Sequence, residues 1–185
     1  MSNKLFIISG PGGSGKTTLA SMITKSWPNV VRNISTTTRA PRPGEKDGVD
    51  YHFVTDEVFQ EKVESGAFIE CARVFDSWYG SEKNHIFDAL NQGKHVILVI
   101  DVGGALAVKK ELESVSIFIS PPSLEVLEER LKGRQAEEKE LKNRLEAAHA
   151  EMQMIDHYDY HLINSDLEKA FERLKEIFIQ EGEKS

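Results

Sequence analysis

Cysteine is almost missing from this 185-residue sequence. The one present, Cys71, has no partner for an internal disulfide, which fits a reducing compartment. No apolar run approaches the roughly 18–20 residues that a membrane-spanning helix needs. The apolar start, Leu5-Phe6-Ile7-Ile8, is too short for the core of a signal peptide. Basic charge is in deficit, with 23 Lys and Arg against 30 Asp and Glu, a net charge of −7. That removes the electrostatic ground for general binding to nucleic acid or to an anionic membrane, and neither partner is expected. The 13 glycines and 6 prolines are ordinary in number, so collagen-like and low-complexity readings fail. What remains is a soluble, acidic chain expected in the cytoplasm. Its length suits one domain that buries a core without disulfide or metal staples.

Apolar patterning gives the elements. Leu5 to Ser9 is a short apolar run ending in glycines and reads as a buried parallel strand, followed at once by a helical pattern over Lys16 to Ser26. From Asn33 to about Asp50 the chain is rich in Thr, Arg, Pro and Gly without periodicity, and a loop that long in a compact domain is usually functional. Tyr51 to Val54 reads as a strand, and Thr55 as the N-cap of a helix to Ser65 that Gly66 closes. Ala67 to Phe75 reads as a strand and Ser81 to Gln92 as a helix. His95 to Asp101, apolar on both faces, is expected at the centre of a parallel sheet. Ser114 to Ser120 is another strand, and Pro121-Pro122-Ser123 opens a helix towards Lys132. A charged helix over Glu137 to Asp156, a strand at His161 to Ile163 and a helix capped by Asp166 complete the chain. Strand–helix alternation at both ends around an irregular insert predicts an α/β fold.

Gly10-Pro11-Gly12-Gly13-Ser14-Gly15-Lys16-Thr17 matches G-x-x-x-x-G-K-[ST] in full, between a strand and a helix. A chance match is expected in fewer than about one chain in a hundred of this length. The glycines let successive backbone N–H groups point at phosphate oxygens, and the helix N-terminus adds partial positive charge. Lys16 is then expected at the β- and γ-phosphates and the Thr17 hydroxyl on Mg²⁺, with Thr18 beside it. This is a nucleoside triphosphate site, but the loop alone does not say what the γ-phosphate is for.

The second candidate lies in the insert, Ser35-Thr36-Thr37-Thr38-Arg39-Ala40-Pro41-Arg42-Pro43-Gly44-Glu45, continuing to Gly48 and Tyr51. Two arginines three apart, with hydroxyls before and a tyrosine after, suit one phosphate held by charge-assisted hydrogen bonds. By itself the segment is equally compatible with a solvated basic loop. Taken with the pattern S-x-T-T-R-x-x-R-x-G-E-x-x-G-x-x-Y, which it fits from Ser35 to Tyr51, and with Gly66-Ala67-Phe68-Ile69-Glu70 and Tyr79-Gly80-Ser81, the chain resembles the guanylate kinases from about Lys4 to its last helix.

The resemblance implies a P-loop core at about 3–32, 94–128 and 157–185, with a parallel sheet flanked by helices. It also implies an inserted mixed α/β GMP-binding subdomain at about 33–90 and a helical lid at about 129–150. It implies that Arg39, Arg42, Tyr51 and Tyr79 hold the GMP phosphate, and that Ser35, Glu70, Ser81 and Asp101 read the guanine. Chemistry agrees for Glu70: guanine presents donors at N1 and N2, whereas adenine offers an acceptor at N1 and leaves a carboxylate unpaired. Arg130, Arg134 and Arg144 match lid arginines that neutralise the transferring phosphoryl group. The implied reaction is ATP + GMP → ADP + GDP with Mg²⁺, dGMP also serving as acceptor, in a monomer or homodimer. Two other readings fit parts of the pattern, a guanylate-kinase-like binding module and a ribose bisphosphate phosphokinase. The family's D-I-D-x-Q-G reads Val99-Ile100-Asp101-Val102-Gly103-Gly104 here, so an acid on the nucleotide side is missing at Val99. Gly12 stands where serine is usual.

Overall fold

The computed structural model describes residues 3–132 and 138–183. Five strands form an all-parallel sheet: β1 (Leu5–Ser9), β2 (Val30–Arg32), β7 (His95–Val99), β8 (Val115–Ser120) and β9 (Tyr160–Ile163), in the order β2-β7-β1-β8-β9. The middle strand is β1, flanked by β7 and β8, so the His95–Val99 run is interior but not central as its composition suggested. Both faces of β1 are buried. Phe6 and Ile8 face α1 (Lys16–Ser26) and α7 (Leu167–Glu183), where they pack with Leu19, Ile23, Leu174 and Phe178. Phe6 stacks on Phe178 with ring centroids 3.9 Å apart. Leu5 and Ile7 turn the other way, towards Ile86 of α3 (Lys83–Asn91) and Ala105 and Val108 of α4 (Val102–Glu111). A third small core, Leu127, Leu131, Leu141 and Ala148, joins α5 (Leu124–Lys132) to α6 (Glu138–Met152).

The insert carries a second, mixed sheet of four strands: β3 (Thr36–Thr37), β4 (His52–Phe53), β5 (Phe68–Val74) and β6 (Ser77–Glu82), ordered β4-β3-β6-β5. Thr55 caps α2 (Asp56–Glu64), its hydroxyl accepting from the Val58 N–H.

Four elements depart from the sequence reading: β2 and β3 form where no strand is expected, and β6 and α4 are the other two. The segment expected to be helical from Ser81 is strand β6 as far as Glu82, because it is the inner arm of a hairpin paired on both sides, with β5 and with β3. The hairpin tip is Phe75, the only described non-glycine residue with positive φ (54°). Helix α4 carries no helical signal because it starts with Gly103-Gly104. It forms on the Asp101 cap, whose carboxylate accepts the Gly104 N–H at 2.7 Å, and on the burial of Val102, Ala105 and Val108.

Leu174 is fully buried between α7 and the sheet, while Ile179 on the same helix is 51% exposed. Leu174→Ala is expected to lower the free energy of unfolding by about 2–5 kcal/mol, and Ile179→Ala by no more than about 0.5 kcal/mol. Urea denaturation of both variants checks the pair.

Candidate active site

The loop after β1 takes its shape from three left-handed glycines, Gly10 (φ 130°), Gly13 (φ 94°) and Gly15 (φ 97°). Gly15 is the N-cap of α1. The loop holds close neighbours. A Cβ at Gly10 would stand 2.1 Å from the Ile119 carbonyl oxygen, and one at Gly15 would stand 2.3 Å from Nδ2 of Asn164. At Gly12 a Cβ meets nothing within 4 Å, so glycine is not sterically required there. Lys16 folds back and donates from Nζ to the carbonyls of Gly10 (2.6 Å) and Pro11 (2.8 Å). Thr17 and Thr18 are exposed at the start of α1. The Ser14 hydroxyl is buried and has no hydrogen-bond partner.

Asn164 was not foreseen. It is buried just beyond β9, and its side-chain N–H donates to the Ser14 carbonyl at 2.8 Å. Its own carbonyl accepts from Arg130 at 2.9 Å. A single asparagine 150 residues from the loop carries no sequence signal of this role.

The second cluster is built by the mixed sheet. Within β5 the register shifts between Phe68 and Glu70, so that Phe68 pairs with Glu82 and Glu70 with the adjacent Ser81. This bulge at Ile69 sends Phe68 and Glu70 to opposite faces, although they are two apart. Phe68 stacks on Phe59 of α2 and covers Gly80, where a Cβ would stand 2.8 Å from its ring. Glu70 shares the other face with Ser81 and Tyr79. Thr36 pairs with Gly80, and carrying that register one residue further sets Ser35 opposite Ser81, in the same row.

Along that face lies Arg39. It donates from Nε to the Tyr79 hydroxyl (3.1 Å), and one amino group reaches both oxygens of Glu45 (2.8 and 2.9 Å). Its guanidinium lies 5.3 Å from the Tyr51 ring centre, and the Tyr51 and Tyr79 rings meet edge-on at 5.9 Å. Arg42 is exposed, and its backbone N–H donates to Glu45. Glu45 therefore braces both arginines, a role its place in the sequence pattern did not disclose.

Glu70 and Asp101 converge on α4. A Cβ at Gly104 would stand 2.7 Å from Oε2 of Glu70 and 3.2 Å from Oδ1 of Asp101. Burial pushes the Glu70 carboxyl up to about 7, with the Asp101 charge adding to it, while the Ser81 hydroxyl and N–H pull the other way. The Ser81 hydroxyl is fully enclosed without a partner of good geometry.

Of the expected lid arginines, the two described are not gathered at the loop. Arg130 reaches it through Asn164. Arg144 is paired with Glu140 one turn away and lies 5.3 Å from the ring centre of Phe75 at the hairpin tip. Arg134 lies outside the described residues. Cys71 is exposed on β5. The Val99 side chain packs beside Ile97 in the α1 layer.

Comparison with known proteins covers nearly the whole chain. The guanylate kinase family profile matches residues 2–181. Guanylate kinase of Protochlamydia amoebophila is 44% identical over 178 residues, covering 96% of this chain and 90% of that protein. Guanylate kinase of Chlamydia felis is 46% identical over 180 residues, covering 96% and 88%. The crystal structure of guanylate kinase from Anaplasma phagocytophilum superposes with a TM-score of 0.80 at 34% identity, covering 97% of this chain and 86% of that one. With a glycine loop on a parallel sheet and an acid-and-arginine face on an inserted one, the chain belongs to the guanylate kinase family.

Proposed function

We propose that this chain transfers the γ-phosphoryl group of ATP to GMP, and to dGMP, yielding ADP and GDP. The observation that carries this is the Ser81–Glu70 pair, closed on its far side by Asp101 and Gly104, with Ser35 next along the β3 register. A carboxylate and hydroxyls are placed there to meet the N1 and N2 donors of guanine. Arg39, Arg42, Tyr51 and Tyr79, on or beside the same sheet, receive the acceptor phosphate. Gly10 to Thr18 cradle the donor triphosphate, with Lys16 moving from the loop carbonyls to the phosphates. Arg130, Arg134 and Arg144 balance charge on the transferring group. The attacking phosphate oxygen is already anionic, so no base is assigned and catalysis rests on positioning and charge neutralisation.

Among the described residues no group of three or more His, Cys, Asp or Glu side chains is arranged to hold a metal ion. That fits Mg²⁺, which keeps much of its water and arrives on nucleotide phosphates, needing only one or two protein oxygens. The Thr17 hydroxyl, exposed at the helix start, is one such oxygen. When bound, the ion would supply positive charge against the charge of the transferring phosphoryl group. No described helix is long and apolar enough to cross a membrane. We place the reaction in the cytoplasm, in a monomer or homodimer. The binding-module and ribose bisphosphate readings lose ground to an intact Gly15-Lys16-Thr17 and to the guanine-facing row.

A coupled assay of ADP release against GMP, dGMP, AMP, CMP and UMP tests the reading; absence of GMP-dependent turnover would overturn it. Glu70→Gln should raise KM for GMP by about 10- to 100-fold, since a hydrogen bond to a charged group is worth roughly 1.5–3 kcal/mol, and leave KM for ATP nearly unchanged. Gly104→Ala should do the same more weakly by displacing the carboxylate.

The pH dependence has a definite sign. Glu70 must be charged to accept from guanine, and in the free enzyme it gains its proton as pH falls through about 7. kcat/KM for GMP should therefore fall on the acid side of about 7 through this group. Glu70→Gln should lose that limb and retain only the limb of the substrate phosphate, near about 6. The raised value also means that the neutral form stabilises the ligand-free fold. That contribution is complete below the ordinary carboxylate range and is lost as pH rises through about 7.

A further inference from the structure

A phosphate loop binds through backbone N–H groups, so each of them has to be aimed. In a trans peptide the C=O and the N–H point in opposite directions, and all described peptide bonds are trans. Whatever holds the Ser14 carbonyl therefore also aims the Gly15 N–H. That carbonyl accepts from the Asn164 side chain at 2.8 Å. The Gly15 N–H, turned away from Asn164, donates to no group among the described residues. Gly15 is also the residue least able to keep its own peptide in place. Its φ of 97° is left-handed, and glycine populates both signs of φ about equally.

Asn164 is itself fixed from two sides. Its N–H donates to the Ser120 carbonyl of β8 at 2.8 Å, and its carbonyl accepts from Arg130 of α5 at 2.9 Å. Its side-chain amide lies directly on the loop, 2.3 Å from where a Gly15 Cβ would stand. The amide can face only one way, because reversed it would set Oδ1 against the Ser14 carbonyl oxygen. In this orientation Oδ1 is buried without a hydrogen-bond partner. A buried acceptor left unpaired is destabilising, so the fold alone does not account for an asparagine here. What an apolar side chain of the same size would lack is the donor to Ser14.

We propose that Asn164 is a positioning residue for phosphoryl transfer: it locks the Ser14–Gly15 peptide so that the Gly15 N–H meets the phosphate oxygens of the donor. The inference rests on the ATP-site reading given above. Asn164 acts through the loop and not on the substrate. Without its donor the peptide is able to turn over, since Gly15 offers no resistance. A turned peptide presents the Ser14 carbonyl oxygen to the triphosphate in place of the Gly15 N–H. An attractive dipole at the donor phosphate is then replaced by a repulsive one.

The test is equilibrium binding of a β,γ-imido ATP analogue with Mg²⁺ to the full chain by calorimetry, alongside steady-state kinetics, both well below the melting temperature. Asn164→Ala should weaken analogue binding by about 10- to 100-fold. It should raise KM for ATP to match and leave KM for GMP nearly unchanged. Asn164→Asp keeps the shape, but its carboxyl donates to the Ser14 carbonyl only when protonated. Relative to wild type at each pH, Asp should bind the analogue worse than Ala at about pH 8. At about pH 5, where burial favours the protonated acid, Asp should bind better than Ala. A role in folding alone would give neither this crossing nor the split between the two KM values. Analogue affinity of Asn164→Ala equal to wild type, or an Asp variant that never exceeds Ala, overturns the proposal. Failure of the wild type to bind the analogue overturns instead the ATP-site reading beneath it.

Discussion

The structure depends on neighbours approaching the backbone of the phosphate loop more closely than any Cβ there would permit. At Gly10 the space that a Cβ would take belongs to the Ile119 carbonyl of β8, and at Gly15 to the side-chain amide of Asn164. Because those spaces are empty of carbon, the ends of β1, β8 and β9 close around one turn. Asn164 then reaches the Ser14 carbonyl, and Arg130 reaches Asn164. Three segments far apart in sequence are thereby in place before any ligand arrives. Groups placed in advance cost no rearrangement when charge must be stabilised, which is where this type of catalysis gains most.

The same economy governs the cations. Net charge of −7 would seem at odds with two anionic substrates, yet the basic groups of the cleft are already engaged. Lys16 holds two loop carbonyls, Arg39 holds Glu45 and Tyr79, and Arg144 holds Glu140. Each cation is held by a local partner in the ligand-free chain, and on the function proposed above the local field rather than the total charge governs nucleotide capture. Glu70, an acid of the same region that has no cation beside it, is pushed by burial towards its neutral form.

Legibility in the sequence followed physical locality. Strand β1 and helix α1 were readable to the residue because apolar runs, glycines and a helix pattern lie side by side. The Thr55 cap was readable for the same reason. The facing of Glu70 was not, because a one-residue bulge inverts it and a bulge leaves no mark in the alternation of a short strand. The sequence reading starts a helix at Ser81, two residues early, with no strand between it and Phe75, because the partners of β6, β3 and β5, are distant choices of pairing rather than features of its own residues. Asn164, Glu45 and Gly104 act through a carbonyl, a guanidinium and an absent side chain, none of which a motif expresses.

The lid helix α6 and the insert meet in this structure at Arg144 against Phe75, and the magnitudes there decide how that contact behaves. Phe75 caps the hairpin whose inner face carries Glu70, Tyr79 and Ser81. Its attraction for the guanidinium is worth about 0.5–1 kcal/mol at an exposed site, and the one-turn pair with Glu140 about 0.3–0.5 kcal/mol. Each charge-assisted hydrogen bond to a phosphoryl oxygen is worth roughly 1.5–3 kcal/mol. A phosphoryl group within reach therefore draws Arg144 from both partners, while an empty cleft leaves it where it is. On the function proposed above, release of Phe75 and capture of phosphate by Arg144 are one exchange.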